Sequence, residues 1–339
     1  MLAGRLVVSR RELRMAEVPV PSPGPGEVLV KVEAAGVCLS DVHLIEGMFV
    51  PPLLKGDEVT LGHEVAGTVR EIGEGVTGRR LGERVLLQAG EQRDGLIHTR
   101  GVDYDGGWAE YAVATASTVV PIPDDLSFEQ ACFIPDAVST PWAAIVGTAA
   151  VRPAEAAGVW GVGGLGAHGV QLLRLVGAMP VIAVDPLPAA RERALEFGAD
   201  LALDSADPGL RGRIMEATGG HGLDAAFDFA GVPAVREQAV TCLARGTETL
   251  RGGRLVLVGL TDRPLTITDG TTFSAASQAV LGHYGSSAQH VVDLVKLVAG
   301  HRVEFSRSVS EVLPLAEAPR AVERLETKQG DPIRIVLRP

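Results

Sequence analysis

The feature that most constrains the fold is an alternation of short aliphatic runs and amphipathic helical stretches that begins near residue 151. AGVWGVGG precedes LGAHGVQLLRLVG, VIAVD precedes AARERALEFG, LDAAFDFAG precedes AVREQAVTCLA, and RLVLVGL follows. Uniformly apolar runs are typical of strands buried on both faces, and parallel strands need long crossovers that are usually helical. The alternation therefore predicts an α/β domain with a doubly wound parallel sheet, which we place at residues 151–285.

A glycine-rich turn lies inside the first βαβ unit of this domain. The sequence GVGGLG places Gly161, Gly163, Gly164 and Gly166 between a strand and a helix. The first glycine permits a tight turn, the second lets the backbone approach a pyrophosphate, and the last lets helix and strand pack closely. We therefore predict that these glycines bind a dinucleotide, with an ordinary strand-helix turn as the alternative.

An acid at the end of the next strand indicates which dinucleotide is bound. Asp185 ends VIAVD nineteen residues after Gly166, where an acid is expected to bond both hydroxyls of the adenine ribose. Because such an acid repels a ribose phosphate, NAD is favoured over NADP. Arg191 follows six residues later and could reach back toward a phosphate.

The flanking segments indicate a different kind of domain. VPVPSPGPGEVLVKVEAAGV is typical of a proline- and glycine-rich turn followed by a strand, and EVAGTVREIG and GERVLLQ predict two further strands. After about residue 285 the pattern predicts one helix, AQHVVDLVKLVAG, and a final strand, IRIVL. A chain of 339 residues exceeds what one core usually organises, so we expect two domains.

Charge, apolar runs and cysteine content limit the partners and the cell compartment that we expect. The net charge is −11 with no basic run, which argues against nucleic acid or an anionic membrane. No run of 18 apolar residues occurs, and the N-terminus lacks the pattern of a signal peptide, so we expect a cytoplasmic protein. The three cysteines, Cys38, Cys132 and Cys242, are widely separated, as suits a reducing compartment.

Three separated residues offer a set of metal ligands. Cys38, His63 and Asp136 combine a thiolate, an imidazole and a carboxylate, which suits Zn²⁺ with a fourth position left for water or substrate. Their spacing alone does not show that they converge. Taken singly, they could be a buried thiol, a core histidine and a helix N-cap. Thiol catalysis by Cys38 with His43 or His63 is a further alternative.

The whole chain resembles the zinc-dependent alcohol dehydrogenases of the medium-chain dehydrogenase/reductase superfamily. The resemblance rests on PGPGEVLVKVEAAGVCLSDVH, LGHEVAGTVREIGEGV, DGGWAEY, PDAVSTPW, GVGGLGAHGVQL and GDPIRIVLRP. It implies a GroES-like, β-rich catalytic domain formed by residues 1–150 and 286–339 and an inserted Rossmann domain. It also implies that zinc and nicotinamide bind in the cleft between the two domains.

The resemblance assigns roles to the residues around the metal. Cys38 and His63 match the first two catalytic zinc ligands, and Asp136 matches the third. Glu64 matches a glutamate behind the metal that ligates it transiently, and Asp41 matches a carboxylate that orients the zinc-bound histidine.

The resemblance also assigns residues to substrate and cofactor. Ser40 matches the hydroxyl that bonds the alcohol oxygen, and His43 matches the end of a proton relay through the nicotinamide ribose. Arg334 matches a basic residue near the cofactor pyrophosphate. Three apolar residues flank the site in sequence and are candidate walls of the substrate pocket, with core packing as the alternative: Phe49, Leu53 and Trp142.

One stretch departs from the family pattern. Many relatives carry four closely spaced cysteines for a structural zinc where this chain has QAGEQRDGLIHTRGVDY, which contains no cysteine. We therefore predict one catalytic zinc and no structural zinc. We also expect a homo-oligomer, a dimer or a tetramer, whose size the altered loop leaves open.

The reaction implied by the resemblance is the reversible oxidation of a small-molecule alcohol to an aldehyde or ketone by NAD. Two alternatives stay open. One is a zinc-free, NADPH-dependent quinone or enoyl reductase of the same superfamily, which would tolerate Cys38→Ser. The other is a non-catalytic NAD(H)-binding protein, which would turn over no alcohol.

Overall fold

The chain divides into two compact units. The computed structural model describes residues 1–246 and 251–339. One unit comprises Met1–Ser139 with Ser287–Pro339, and the other comprises Thr140–Ser286. As domain limits, the ranges 1–150 with 286–339 and 151–285 stay a prediction.

The secondary structure is numbered in chain order. The strands of the described residues are β1 Leu2–Val7, β2 Glu12–Glu17, β3 Glu27–Val37, β4 Glu58–Thr60, β5 Val65–Ile72, β6 Arg84–Leu87, β7 Gly90–Arg93, β8 Leu96–Thr99, β9 Tyr111–Thr115, β10 Val119–Pro121, β11 Ala157–Trp160, β12 Val181–Val184, β13 Leu201–Leu203, β14 Ala225–Asp228, β15 Arg254–Leu257, β16 Ala279–Gly282, β17 Val309–Pro314 and β18 Arg334–Arg338. The α-helices are α1 Leu39–Glu46, α2 Phe128–Ala131, α3 Ser139–Ala143, α4 Gly166–Val176, α5 Pro188–Glu196, α6 Leu210–Ala217, α7 Pro233–Thr241, α8 Gly270–Ala275, α9 Ala288–Ala299 and α10 Ala318–Glu326.

The first unit is built on a seven-stranded sheet. Its strands run in the order β10-β6-β5-β3-β18-β17, and β9 also pairs with β3. Strand β3 lies antiparallel to β5, with Ala35 opposite Val65, and antiparallel to β18, with Val37 opposite Ile335. Both ends of the chain therefore contribute to one sheet and one core, as the predicted GroES-like domain requires.

The second unit is a parallel sheet with the strand order β13-β12-β11-β14-β15-β16. Every residue of β11, β12 and β14 is buried, which explains why β11 and β12 are apolar throughout and why β14 is apolar up to its last residue, Asp228. Helices α4 and α5 pack on β11, β12 and β13, and α7 packs on β14 and β15. The order is that of a Rossmann fold, so the predicted α/β fold class is confirmed.

Several elements were not predicted from the sequence. Strands β1 and β2 form a hairpin, and β7 and β8 form another in the stretch that departs from the family pattern. Beyond residue 285 the chain also contains β17 and α10, in addition to the predicted helix and final strand. No helix in the described ranges is long and apolar enough to cross a bilayer.

Candidate active site

The sheet register brings the candidate metal ligands together. Cys38 follows the last residue of β3, while His63 and Glu64 precede the first residue of β5, at the paired ends of two neighbouring strands. Helix α2 packs on both strands, and the π-helix Ile134–Val138 that follows it carries Asp136. Strand pairing and the packing of α2 thus bring residues that are distant in sequence close together in space.

The three donor atoms lie at distances that suit a tetrahedral metal. Cys38 Sγ is 3.4 Å from Asp136 Oδ2, and His63 Nε2 is 3.3 Å from the same oxygen. The edges of a tetrahedral zinc site with sulfur, nitrogen and oxygen ligands are about 3.4–3.6 Å long. Ligand atoms of Cys38, His63, Glu64 and Asp136 all lie within 4.8 Å of one another. The residues therefore fit the metal that their chemistry predicts.

The electrostatics of the cluster favour a bound cation. Burial by itself lowers the pKa of His63, but Asp41, Asp136 and Cys38 act in the opposite direction and raise it well above its usual value. The buried imidazole is thus surrounded by groups that stabilise positive charge. A proton or a metal ion can supply that charge.

Asp41 holds two of the ligand segments. Its Oδ2 accepts a hydrogen bond of 2.9 Å from the backbone N–H of Cys38, in the first turn of α1. Its Oδ1 lies 3.4 Å from Nδ1 of His63, the ring nitrogen that does not face Asp136. Both side chains are almost fully buried, so this carboxylate can fix the orientation of the imidazole.

Glu64 and Arg334 form an ion pair behind the ligand cluster. The guanidinium of Arg334 donates to Glu64 Oε2 and, at 3.1 Å, to the carbonyl of Val37. Burial raises the pKa of Glu64 to about 7, although Arg334 opposes this rise. Because Arg334 is buried in this pair, its contact with a cofactor pyrophosphate stays a prediction.

Ser40 and His43 lie three residues apart on α1, next to the cluster. Ser40 Oγ lies 3.4 Å from Nε2 of His63, so its hydroxyl faces the candidate ligands. Nδ1 of His43 is buried without a hydrogen-bond partner in the described part of the chain. Burial also lowers the pKa of His43, which keeps the imidazole neutral near pH 7 and able to accept a proton.

The glycine fingerprint has the geometry that its residues predict. Gly161 has a φ of +88°, which a side chain would strain, and a Cβ at Gly166 would lie 1.8 Å from the Gly161 carbonyl oxygen. A Cβ at Gly163 would meet no atom within 4 Å among the described residues, apart from its two neighbours in the chain. The turn thus leaves the Gly163 backbone open to an approaching ligand, while Gly166 lets α4 begin directly against β11.

Asp185 is held in place by the backbone of its own unit. Its Oδ2 accepts a hydrogen bond of 2.8 Å from the N–H of Val162, inside the fingerprint, and its Oδ1 accepts one of 2.9 Å from Leu187. The carboxylate is therefore fixed beside the glycine turn. These two amides were not identified from the sequence, because a backbone donor carries no residue signature.

The three candidate pocket residues, Phe49, Leu53 and Trp142, have different surroundings in the structure. Phe49 packs against the core of the first unit, and the backbone N–H of Leu53 donates to Asp103 at 3.3 Å. Trp142 belongs to the second unit. Their contact with substrate stays a prediction.

A GroES-like unit with a cysteine-histidine-aspartate cluster, together with a Rossmann unit, defines a medium-chain dehydrogenase/reductase. The alcohol dehydrogenase GroES-like domain family matches residues 24–124, and the zinc-binding dehydrogenase family matches residues 164–300. The NDMA-dependent alcohol dehydrogenase of Amycolatopsis methanolica is 31% identical, over 96% of this chain and 95% of its own. The chain therefore belongs to the zinc-type alcohol dehydrogenase family of this superfamily.

Solved structures agree with this assignment. An NAD-dependent alcohol dehydrogenase superimposes with a TM-score of 0.90 at 27% identity, covering 100% of both chains. A zinc-binding dehydrogenase from Sinorhizobium meliloti, whose structure contains NADP, gives 0.89 at 26% identity, covering 100% of this chain and 99% of its own. The comparisons support NAD(P)-dependent alcohol oxidoreduction as the class of reaction.

Proposed function

We propose that this protein is a zinc-dependent alcohol dehydrogenase that oxidises an alcohol to an aldehyde or ketone, reversibly, with NAD as the hydride acceptor. The observation that carries the proposal is the convergence of Cys38 Sγ, His63 Nε2 and Asp136 Oδ2, with separations of 3.3–3.4 Å along two edges. Three protein ligands leave a fourth position open, as in catalytic rather than structural zinc sites.

Cys38, His63 and Asp136 would hold the metal, with Glu64 close enough to join them. When bound, zinc supplies a Lewis acid that lowers the pKa of the substrate hydroxyl and stabilises charge on its oxygen. Asp41 keeps the His63 ring aligned through Nδ1. The buried position of the cluster strengthens these electrostatic effects because water is largely excluded.

Ser40 and His43 would carry the proton away from the alcohol. The Ser40 hydroxyl lies beside His63, where it can accept a hydrogen bond from a substrate hydroxyl. Neutral His43, three residues further along α1, is the acceptor that passes this proton outward. A bound nicotinamide would supply the acceptor for the carbon-bound hydride, so loss of that hydride together with this proton would balance the two-electron oxidation.

Gly161, Gly163, Gly164 and Gly166 would receive the cofactor pyrophosphate at the start of α4. Asp185 would bind the adenine-ribose hydroxyls. Support for this role comes from its carboxylate, which two backbone N–H groups hold in a fixed orientation beside the turn. An acid preorganised in this way favours NAD over NADP.

The test is a panel of primary and secondary alcohols assayed with NAD and with NADP by nicotinamide absorbance. We expect turnover that prefers NAD and stops on zinc chelation. Ser40→Ala should reduce kcat by about a hundredfold, while the exposed Ser22→Ala should leave it unchanged. Turnover of quinones or enones that survives chelation would contradict the proposal, as would NADH binding without any alcohol or carbonyl turnover.

A further inference from the structure

The carboxyl ends of β12 and β13 place two acids side by side. The parallel register pairs Val184 with Leu203, so Asp185 and Asp204 are the next residues on neighbouring strands. The backbone N–H of Asp185 donates to the Leu203 carbonyl at 3.1 Å, which extends the pairing to this edge. The position beyond Asp185 is therefore flanked by a second carboxylate.

Arg191 is bound to this edge by a single nitrogen. From α5, its Nη1 donates to the carbonyls of Asp185 and Pro186, both at 2.8 Å. The same Nη1 lies 3.3 Å from Asp204 Oδ2. In the described part of the chain, the other two nitrogens of this guanidinium, Nε and Nη2, have no hydrogen-bond partner. The Arg191 side chain is 22% exposed, so a ligand can reach it.

The charges at this edge oppose a phosphate. Asp185 is the acid expected to repel a ribose 2′-phosphate directly, and such a phosphate brings about two negative charges. Arg191 is the group that could offset them, but Asp204 both neutralises its charge and holds it beside the Asp185 carbonyl.

We infer that Asp204 is a cofactor-selectivity residue, which restrains Arg191 and so disfavours a dinucleotide with a 2′-phosphate. This inference rests on the proposed dinucleotide site and extends its selectivity beyond Asp185. Asp204 acts through Arg191, so its effect should depend on that side chain. Sequence alone gave no signal for it, because Asp204 follows a different strand from the fingerprint acid.

The test measures the dissociation constants of NADH and NADPH by fluorescence titration, without turnover. In Asp204→Asn, we expect the ratio of the NADPH constant to the NADH constant to fall about tenfold. Asparagine keeps an oxygen acceptor for the Ala206 N–H, which donates to Asp204 at 2.8 Å in the wild type. The local turn should therefore persist, and the melting temperature checks this.

Asp207→Asn is the matched control, because it removes one charge from the same loop. Asp207 lies 3.5 Å from Arg213, whereas the polar contacts of the Arg191 side chain within the described residues go to Asp185, Pro186 and Asp204. Its variant should change the ratio less than twofold. In an Arg191→Met background, Asp204→Asn should also change the ratio less than twofold.

Equal ratios for Asp204→Asn and Asp207→Asn would overturn the inference while leaving the dinucleotide site intact. A full effect of Asp204→Asn in the Arg191→Met background would overturn it too, because Asp204 would then act by direct repulsion. A wild-type protein that binds neither dinucleotide would overturn both the inference and the proposed function. That outcome is distinguishable, because the NADH titration alone reveals it.

Discussion

Two of the candidate metal ligands, Cys38 and His63, contact a carboxylate outside the candidate ligand set. This carboxylate is Asp41, which reaches both the Cys38 backbone and the His63 ring. Asp41→Asn keeps an acceptor for the Cys38 N–H but removes the negative charge beside Nδ1. We expect zinc affinity to fall about tenfold to a hundredfold, measured by competition with a chelator.

Asp94→Asn serves as the control for this variant, because Asp94 is exposed at the β7–β8 turn. Its zinc affinity should equal that of the wild type. Unchanged affinity in Asp41→Asn would mean that the fold alone orients His63.

Glu64 should make the stability of the metal-free protein depend on pH. Burial raises its pKa from 4.5 to about 7, so the folded chain holds this proton more tightly than the unfolded chain does. The stability from this group is full below about pH 4.5 and is lost as the pH rises to about 7. Glu64→Gln removes the titration. Wild-type stability relative to the variant should therefore fall by up to about 3 kcal/mol between pH 4.5 and 7.5.

Denaturant unfolding of both proteins after zinc removal measures this difference. Glu326→Gln, at an exposed position on α10, should keep the wild-type profile. A constant difference between wild type and Glu64→Gln across this range would show that Glu64 stays ionised beside Arg334.

The residue types of the candidate metal site could be predicted from the sequence, but their convergence could not. A separation of 98 residues between Cys38 and Asp136 carries no local signal. The two meet because β5 pairs with β3 as far as Ala35 opposite Val65, and α2 packs on both strands. Before the structure, only the resemblance to a family indicated that these distant residues come together.

At the scale of elements, a substitution in the glycine turn should affect NADH affinity without affecting stability. Among the described residues, and apart from its two neighbours in the chain, a Cβ added by Gly163→Ala meets no atom within 4 Å, so stability should be retained. The added methyl group would lie where a pyrophosphate approaches the backbone, and NADH affinity should fall about tenfold. Fluorescence titration and thermal unfolding measure the two quantities.

Gly212→Ala is the control, because its Cβ on α6 also meets no atom within 4 Å in the described ranges outside the backbone of its own helix. It should raise stability by about 0.5–1 kcal/mol and leave NADH affinity unchanged. Wild-type NADH affinity in Gly163→Ala would contradict the placement of the pyrophosphate.

Elements differ in how much of them the sequence reveals. The buried strands of the Rossmann unit have uniform apolar runs, so their existence follows from composition. Helix α10 was missed, although Ala318, Ala321, Val322 and Leu325 repeat at helical spacing on one buried face. The β7–β8 hairpin was missed because β7 is polar and β8, LIHT, does not alternate apolar and polar residues, although Asp94-Gly95 is a typical two-residue turn.

At the scale of the whole molecule, the candidate zinc site and the candidate dinucleotide site belong to different units. All four candidate metal ligands lie in the unit of residues 1–139 and 287–339, and the fingerprint with Asp185 lies in the unit of residues 140–286. Zinc removal should therefore increase hydrogen exchange at the ends of β3 and β5 and in α1. NADH should protect the start of α4 and the residues after β12.

Hydrogen exchange measured with and without each ligand checks this assignment. Strand β16, far in sequence from both sets of residues, is the internal reference. Loss of protection throughout β11–β15 on zinc removal would contradict the separate placement of the two sites. The dimer or tetramer expected from the sequence stays a prediction for solution measurements.

The central claim is that Cys38, His63 and Asp136 hold one zinc ion on which alcohol turnover depends. Metal analysis of the purified protein, paired with an alcohol assay, tests it most directly. We expect about one zinc per chain in the wild type and in Cys132→Ala, whose buried thiol lies outside the ligand cluster. Cys38→Ala should retain neither zinc nor activity. A wild-type protein that oxidises alcohols without zinc, or a Cys38→Ala variant with full zinc and full activity, would contradict the claim.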